Sequence, residues 1–299
     1  MKISHLGIII TLIIINVILF IKILLSQGTI QFFNPQGFIA IEQKKLLITY
    51  VSLMLLIVVP VVLTGYFIAW KYRSSNTKAD FAPDRKQSAW SEIRLWIPSS
   101  TIILIMSFIT WQATHNLDPY KPLVSSVKPI RVQVIALQWK WLFIYPEQGI
   151  ATVNYLEFPE KTPLNFELTA DSPMNSFWIP QLGGQMYAMT GMTTRLHLIA
   201  DKQGEYRGST AEISGAGFAG MKFMAKAVSQ RDFELWVNSV KQSPHALSLD
   251  EYKLLAKPSE DTPPLFYNST EDDLFNTIIM KFMAPISPTG AFHMMENGR

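Results

Sequence analysis

No cysteine occurs anywhere in the 299-residue chain. That absence excludes disulfides, thiolate catalysis, iron–sulfur ligation and Cys-based zinc sites. Histidine is sparse: His5, His115, His197, His245 and His293 are scattered, and none stands at helical ligand spacing from another. Charge is short as well. Only 16% of the residues are charged, against about 25% in an average soluble domain. The shortage is uneven. Up to Thr114 there are ten Lys/Arg and four Asp/Glu, a net of +6; from His115 onward there are sixteen against nineteen, a net of −3. This is the balance of a basic membrane part joined to a mildly acidic water-soluble part. No face or arm concentrates basic residues among aromatics, so nucleic-acid binding is not indicated.

What fills the first third is apolar. Ile8 to Phe20 is almost purely hydrophobic, between Lys2 and Lys22. It is long enough for a signal-peptide core and marginal for a span. Residues 1–28 are therefore either a signal peptide or an N-terminal anchor. The segment "LLSQG" resembles the end of a lipoprotein signal, but Gly28 stands where the lipidated cysteine would be, so thioether lipidation there is excluded. Leu46 to Trp70 is a second apolar run, about 37 Å long as a helix, and Leu95 to Thr114 a third, about 30 Å long. Pro60 is expected to kink the second run. Residues 38–114 read as a two-helix transmembrane hairpin. Its connecting loop, 71–94, carries Lys71, Arg73, Lys78, Arg85, Lys86 and Arg94. Such a cluster beside two spans places the loop in the cytoplasm and everything after His115 on the exported side, although Lys44 and Lys45 run against the trend.

From Val127 the period changes to two. "IRVQV", "LNFEL" and "TRLHL" alternate, and "QWKWLFIY" sets Trp139, Trp141, Phe143 and Tyr145 on one face. The turn signals "PEQG", "FPEKTP", "DSP", "QLGG", "DKQG" and "SGAG" separate these runs. Short strands at this spacing predict a β-sandwich over 127–229. Beyond it, residues 230–299 read as a helical extension and an irregular tail. Phe233, Trp236, Val237 and Val240 lie on one stripe, and a weaker helix runs from Leu274 to Met283.

The stretch "GSTAEISGAGFAGMKF", 208–223, has the shape of a metal-binding loop without a strong ligand. An all-β sandwich with such a loop between two late strands is similar to a copper-binding cupredoxin. Together with the helical hairpin, the chain resembles subunit II of the haem–copper oxidases from about Phe38 to Met283. The cytochrome c oxidases of that family carry Cys-x-Glu-x-Cys-x-x-x-His-x-x-Met in this loop and a further His in an "HSF" segment; these residues hold a two-copper centre. Set against that pattern, "NSFWIP" matches the "HSF" segment with Asn175 in the histidine's place. Thr210 and Ser214 stand for the two cysteines, and Phe218 stands for the second histidine. Glu212 and Met221 are retained. Copper needs soft thiolates and imidazoles, so the replacements imply a site without metal. Gly215, Gly217 and Gly220 are expected to keep the turn tight.

That departure, with "QWKWLFIYPEQGIATVN" and "MNSFWIPQLGGQMYAMTGMTTRLHLIA", resembles the bo-type quinol oxidase branch of the family. The resemblance implies a bacterial plasma-membrane complex that pumps protons and passes electrons from membrane quinol to O2, giving water. It implies no cofactor in this chain, haems (b and o or a related type) and one copper in subunit I, and subunits I, III and IV as partners. Membrane lipid and quinol would contact the complex; cytochrome c would not. Two other readings remain open: a membrane-anchored degenerate cupredoxin that binds or assembles something else, and a cytochrome c oxidase subunit with altered ligands. Glu92, in "SEIRLWIP" at the cytoplasmic start of the third run, corresponds by the resemblance to a glutamate at a proton-path mouth; an ordinary membrane-surface carboxylate would look the same. The aromatic face of 139–145 is expected to pack rather than to conduct electrons, and His197 to be a solvated or hydrogen-bonded strand residue.

Overall fold

The computed structural model describes residues 33–77 and 88–283, together with the isolated helical positions Thr11, Ile15, Ile18 and Lys22. The expectations for the remaining N-terminal residues including Gly28, for Lys78, Arg85 and Lys86, and for the tail after Met283 lie outside the described residues. The chain divides into two units, residues 42–118 and the rest.

The first unit is built on α1 (Phe38–Lys71) and α2 (Ala89–Asn116), both long and apolar enough to cross a membrane. The helical assignment runs through Pro60 and Pro98. Large apolar side chains point outward, among them Leu56, Leu104, Phe108 and Trp111. The hydroxyls of Ser52, Thr101, Ser107, Thr110 and Thr114 each donate to the carbonyl four residues back. A polar side chain satisfied in this way can sit in an apolar helix without an unmet donor. Tyr50 Oη and Thr110 Oγ1, 2.9 Å apart, join the two helices.

The second unit is a sandwich of two sheets. β1 (Ile130–Leu137), β2 (Lys140–Tyr145), β3 (Ile150–Val153), β5 (Leu164–Ala170), β8 (Thr194–Leu198) and β11 (Leu265–Tyr267) form one sheet in the order β11-β3-β2-β1-β5-β8. β4 (Tyr155–Pro159), β6 (Asn175–Trp178), β7 (Met186–Ala188), β9 (Gly204–Thr210) and β10 (Lys222–Val228) form the other in the order β4-β10-β9-β6-β7. β1 is antiparallel to β2 but parallel to β5, and β4 is parallel to β10. The inner faces meet in an aromatic core. Trp141, Phe143, Phe177 and Phe223 are all within ring-contact distance, and Phe177 and Phe223 stack at 5.1 Å.

Every residue of β2 is buried. Trp141, Phe143 and Tyr145 face the inner core, while Leu142 and Ile144 face a second apolar cluster outside the sheet. The C-terminal extension covers that outer cluster and, through its first helix, adds to the inner core. α3 (Gln230–Val240) is capped by Ser229, whose hydroxyl accepts from the Asp232 amide, and turns Phe233, Val237 and Val240 inward. α4 (Leu249–Leu255) and α5 (Leu274–Met283) bury Tyr252, Leu255, Leu274, Phe275 and Ile278 over Ile135, Leu137, Leu142 and Ile144. The extension is thus more than the two helices read from the sequence: it also contributes α4 and the edge strand β11. The N-terminal end of α1 also belongs to this unit. Gln36 and Ala40 donate backbone hydrogen bonds to Gln181 O and Leu182 O, at 2.7 and 3.2 Å. Only glycine fits at Gly37, where a Cβ would lie 2.3 Å from Ile199 O.

Candidate functional site

The stretch 208–223 runs from the end of β9 into the start of β10. Its base is closed by the Thr210 amide donating to Met221 O at 3.2 Å. The Ala211 amide donates to Ser176 O at 3.0 Å, which ties the loop to β6. Within the loop, residues Ala216–Gly220 make a turn of 3-10 helix, with the amides of Phe218 and Met221 donating to Gly215 O and Phe218 O.

The side chains named from the sequence converge in part. Thr210 Oγ1 lies 3.3 Å from Asn175 Oδ1 and 3.3 Å from Glu212 O, and the amides of Ser176 and Glu212 point at it from 3.4 Å. One hydroxyl therefore collects β6, β9 and the loop, through bonds longer than the usual ~2.8 Å for O–H···O. Asn175 is buried and its amide nitrogen donates to Pro173 O and Ser172 Oγ. Met221 is fully buried in the inner core. Ser214 Oγ is enclosed with no hydrogen-bond partner. Phe218 is half-buried in the 3-10 turn. Glu92 lies elsewhere, exposed in the first turn of α2, its amide donating to Ser88 O at 3.4 Å. A carboxylate there interacts favourably with the helix N-terminus.

Trp139 departs from the reading of the sequence. It is not a strand residue sharing a face with Trp141, Phe143 and Tyr145. It occupies the turn between β1 and β2 with φ of 65°, and its indole packs across the loop. Trp139 Nε1 donates to Ser214 O at 3.3 Å. This explains the glycines individually. Gly215 has φ of 118°, which disfavours a side chain. Gly217 has no such φ; a Cβ there would lie 2.3 Å from the Trp139 ring. At Gly220 a Cβ would lie 2.8 Å from Asp261 Oδ1. Gly215 is thus required by its φ and Gly217 by the Trp139 ring, whereas the exposed Asp261 carboxylate can move aside at Gly220.

The donor set does not fit copper. A neutral amide, two neutral hydroxyls, a phenyl ring and one thioether lack the thiolate and imidazole donors that copper prefers. Among the described residues no three His, Cys, Asp or Glu side chains gather as a metal-binding group.

Of the other buried polar groups, only His197 is legible in the sequence. Lys140, 2% exposed, donates from Nζ to Leu255 O and Lys257 O at 2.7 and 2.8 Å, and burial lowers its pKa. Asp171 accepts from Tyr252 Oη at 2.6 Å and from Lys281 Nζ at 2.7 Å. Glu157 is buried beside Tyr155 Oη; desolvation raises its carboxyl pKa, opposed by the Tyr155 hydrogen bond and by Lys226. His197 is buried, with Nδ1 2.8 Å from Asn165 Oδ1 across the β5–β8 pair; desolvation, then Arg195, lowers its pKa. The hydrogen-bonded alternative for His197 holds, and the solvated one does not. The one sequence signal for Lys140 was its position between two tryptophans in an otherwise apolar strand.

Comparison with known proteins gives a consistent picture. Residues 150–228 match the family model "Cytochrome C oxidase subunit II, periplasmic domain", and residues 241–285 match "COX Aromatic Rich Motif". The chain is 52% identical over 260 residues to cytochrome bo(3) ubiquinol oxidase subunit 2 of Pseudomonas putida, covering 87% of this chain and 83% of that protein. It is 48% identical over 271 residues to the same-named protein of Pseudomonas aeruginosa, covering 91% and 82%. It is 46% identical over 262 residues to ubiquinol oxidase subunit 2 of Acetobacter aceti, covering 87% and 85%.

Proposed function

The chain belongs to the family of bo-type ubiquinol oxidase subunit 2, within the haem–copper oxidases, and from that premise we propose that it acts as a non-catalytic, structural subunit of the complex. Electrons pass from membrane quinol to the haems and single copper of subunit I, without a relay in this chain. The observation that carries the reading is the loop of 208–223. It lacks a thiolate and an imidazole, yet it is folded around Thr210 and Trp139. Subunit I is the main partner, with subunits III and IV completing the assembly in contact with lipid and quinol.

In this reading α1 and α2 cross the bacterial plasma membrane, the connection 71–94 is cytoplasmic, and the sandwich is exported. The outward-facing apolar side chains of both helices support it. Affinity purification of the full chain from its membrane, followed by haem spectra and a quinol:O2 assay, tests the function. Co-purifying haem with quinol-dependent oxygen uptake is expected; a lone chain without haem would refute it.

Glu92 is proposed to sit at the mouth of the proton path into subunit I. Its exposure at the loop-facing end of α2 supports the role. Glu92→Gln keeps the shape but cannot exchange a proton. It is expected to slow oxygen reduction in an assembled complex, with Glu92→Asp retaining more activity. Normal turnover of the Gln variant would remove the role. Asn175, Thr210, Ser214 and Phe218 are proposed as emptied ligand positions, with Glu212 and Met221 retained. The combination Asn175→His, Thr210→Cys, Ser214→Cys and Phe218→His is expected to load copper, seen by optical and spin-resonance spectra. A folded quadruple variant that binds none would sink this reading.

A further inference from the structure

Trp139 is a bulky residue in the left-handed region, with φ of 65°. Such a conformation persists only where the surroundings impose it. Its two neighbours show what imposes it. The Ser259 amide reaches Gln138 O at 3.5 Å, and Lys140 Nζ donates to Leu255 O and Lys257 O. All three partners belong to the extension, at the end of α4 and just beyond it. The Leu255 carbonyl, in the last turn of α4, has no partner within the helix, and the ammonium supplies one. The Trp141 amide, one residue on, makes a further link: it donates to Asn154 Oδ1 at 2.8 Å, and Asn154 Nδ2 donates to Thr262 O at 2.8 Å. The turn 138–140 is thus gripped from the extension on both sides.

The other side of that turn is the loop. The Trp139 ring lies against Gly215 and Gly217, and its N–H holds Ser214 O. Asp261, from the same extension segment, stands against Gly220 at the far side of the loop. A continuous chain of contacts therefore runs from the C-terminal extension, through the Lys140-held turn and the Trp139 indole, to the loop.

We propose that the C-terminal extension positions Trp139, and that Trp139 holds the 208–223 loop in place in a metal-independent way. The extension is then the brace of the loop, and Lys140 is the positioning residue that connects them. The proposal does not depend on the oxidase reading, because its test reads the loop itself.

The test is residue-resolved hydrogen exchange on the full-length chain in detergent, with near-ultraviolet circular dichroism reporting the indole environment. Lys140→Met keeps the aliphatic stem and removes the ammonium. It is expected to speed exchange at the Ala211, Phe218 and Met221 amides by roughly tenfold or more and to weaken the indole bands, while the Val134 and Leu168 amides stay protected. Lys281→Met is the control, since it loosens the extension at Asp171 without touching the turn; loop exchange should not change. Trp139→Gly tolerates the backbone conformation and removes the ring, so it should free the loop while the amides of α4 stay protected. A chelator should leave the wild-type loop unchanged. Loop protection that survives Lys140→Met or Trp139→Gly would overturn the proposal. So would identical loosening by Lys140→Met and Lys281→Met, or loosening of the wild type by the chelator. If Lys140→Met fails to fold, seen as lost Val134 protection, Trp139→Gly decides alone.

Discussion

The two units of this chain solve the burial problem in opposite directions. In the sandwich, Trp141, Phe143 and Tyr145 are wholly enclosed, and strands are held by each other's backbones. In the helical unit, Leu104, Trp111 and Leu56 point outward, and the hydroxyls are turned back onto their own helices. The first is the pattern of a domain whose solvent is water; the second is the pattern of helices whose solvent is hydrocarbon. An apolar residue therefore has a different meaning on each side of residue 118, and substitutions should expose that.

The largest expected effect lies in the inner core. Trp141→Ala removes a fully buried ring and should cost about 3–5 kcal/mol, measured as a shifted denaturation midpoint of the sandwich. Trp111→Ala, equally large in volume but exposed, should leave that midpoint within about 0.5 kcal/mol. If both shift it equally, the contrast between the units fails. A charge inverts the ranking. Leu104→Arg, at an outward position of α2, should cost about 2.5–3.5 kcal/mol of membrane insertion, seen as loss of chain from the membrane fraction. Thr193→Arg, on an exposed turn of the sandwich, should leave the membrane fraction unchanged.

A smaller effect is expected where the extension meets the sandwich. Tyr252→Phe removes the hydroxyl that donates to the Asp171 carboxylate. A lost bond to a charged group costs about 1.5–3 kcal/mol, and limited proteolysis should then cut the extension before the strands. The smallest effect concerns His197. Its pKa in the folded chain is held below the ordinary 6.5, so the unfolded chain binds the proton more readily. The stability it contributes is complete above 6.5 and lost as pH falls through the depressed value. The midpoint should therefore fall between about pH 7.5 and pH 5.5 by more in the wild type than in His197→Gln. Equal slopes would show that the histidine does not set the acid sensitivity.

How much of this could be read from the sequence follows from the same contrast. Long apolar runs identify α1 and α2 because nothing interrupts them. The alternation in "IRVQV" and "TRLHL" is legible because β1 and β8 each carry an exposed arginine at their second position, Arg131 and Arg195. The signal fails in β2, where Leu142 and Ile144 are as buried as Trp141 and Phe143. A strand covered on both faces loses its period, and part of that covering comes from α4, a helix of seven residues, too short to announce itself. In the loop, the replaced ligand positions are visible as letters. The Thr210 hub and the Trp139 contact are not, because only the fold brings their members together: Thr210 meets Asn175, 35 positions earlier, and Trp139 meets Ser214, 75 positions later.

The parallel pairing of β4 with β10 has a consequence for how the chain comes into being. Tyr155 meets Met224 only after nearly all of the intervening sandwich has been made, and β1 must likewise wait for β5. Strands that pair across such separations fold slowly, since the loop must close before any contact rewards it. A chain emerging from its N-terminus would leave β4 without its pairing strand until β10 had arrived. Leu142 and Ile144 would stay uncovered until α4 and α5 followed. Nascent fragments of this protein are therefore expected to aggregate, and an early stop would cost the sandwich the outer coat that α4 and α5 supply.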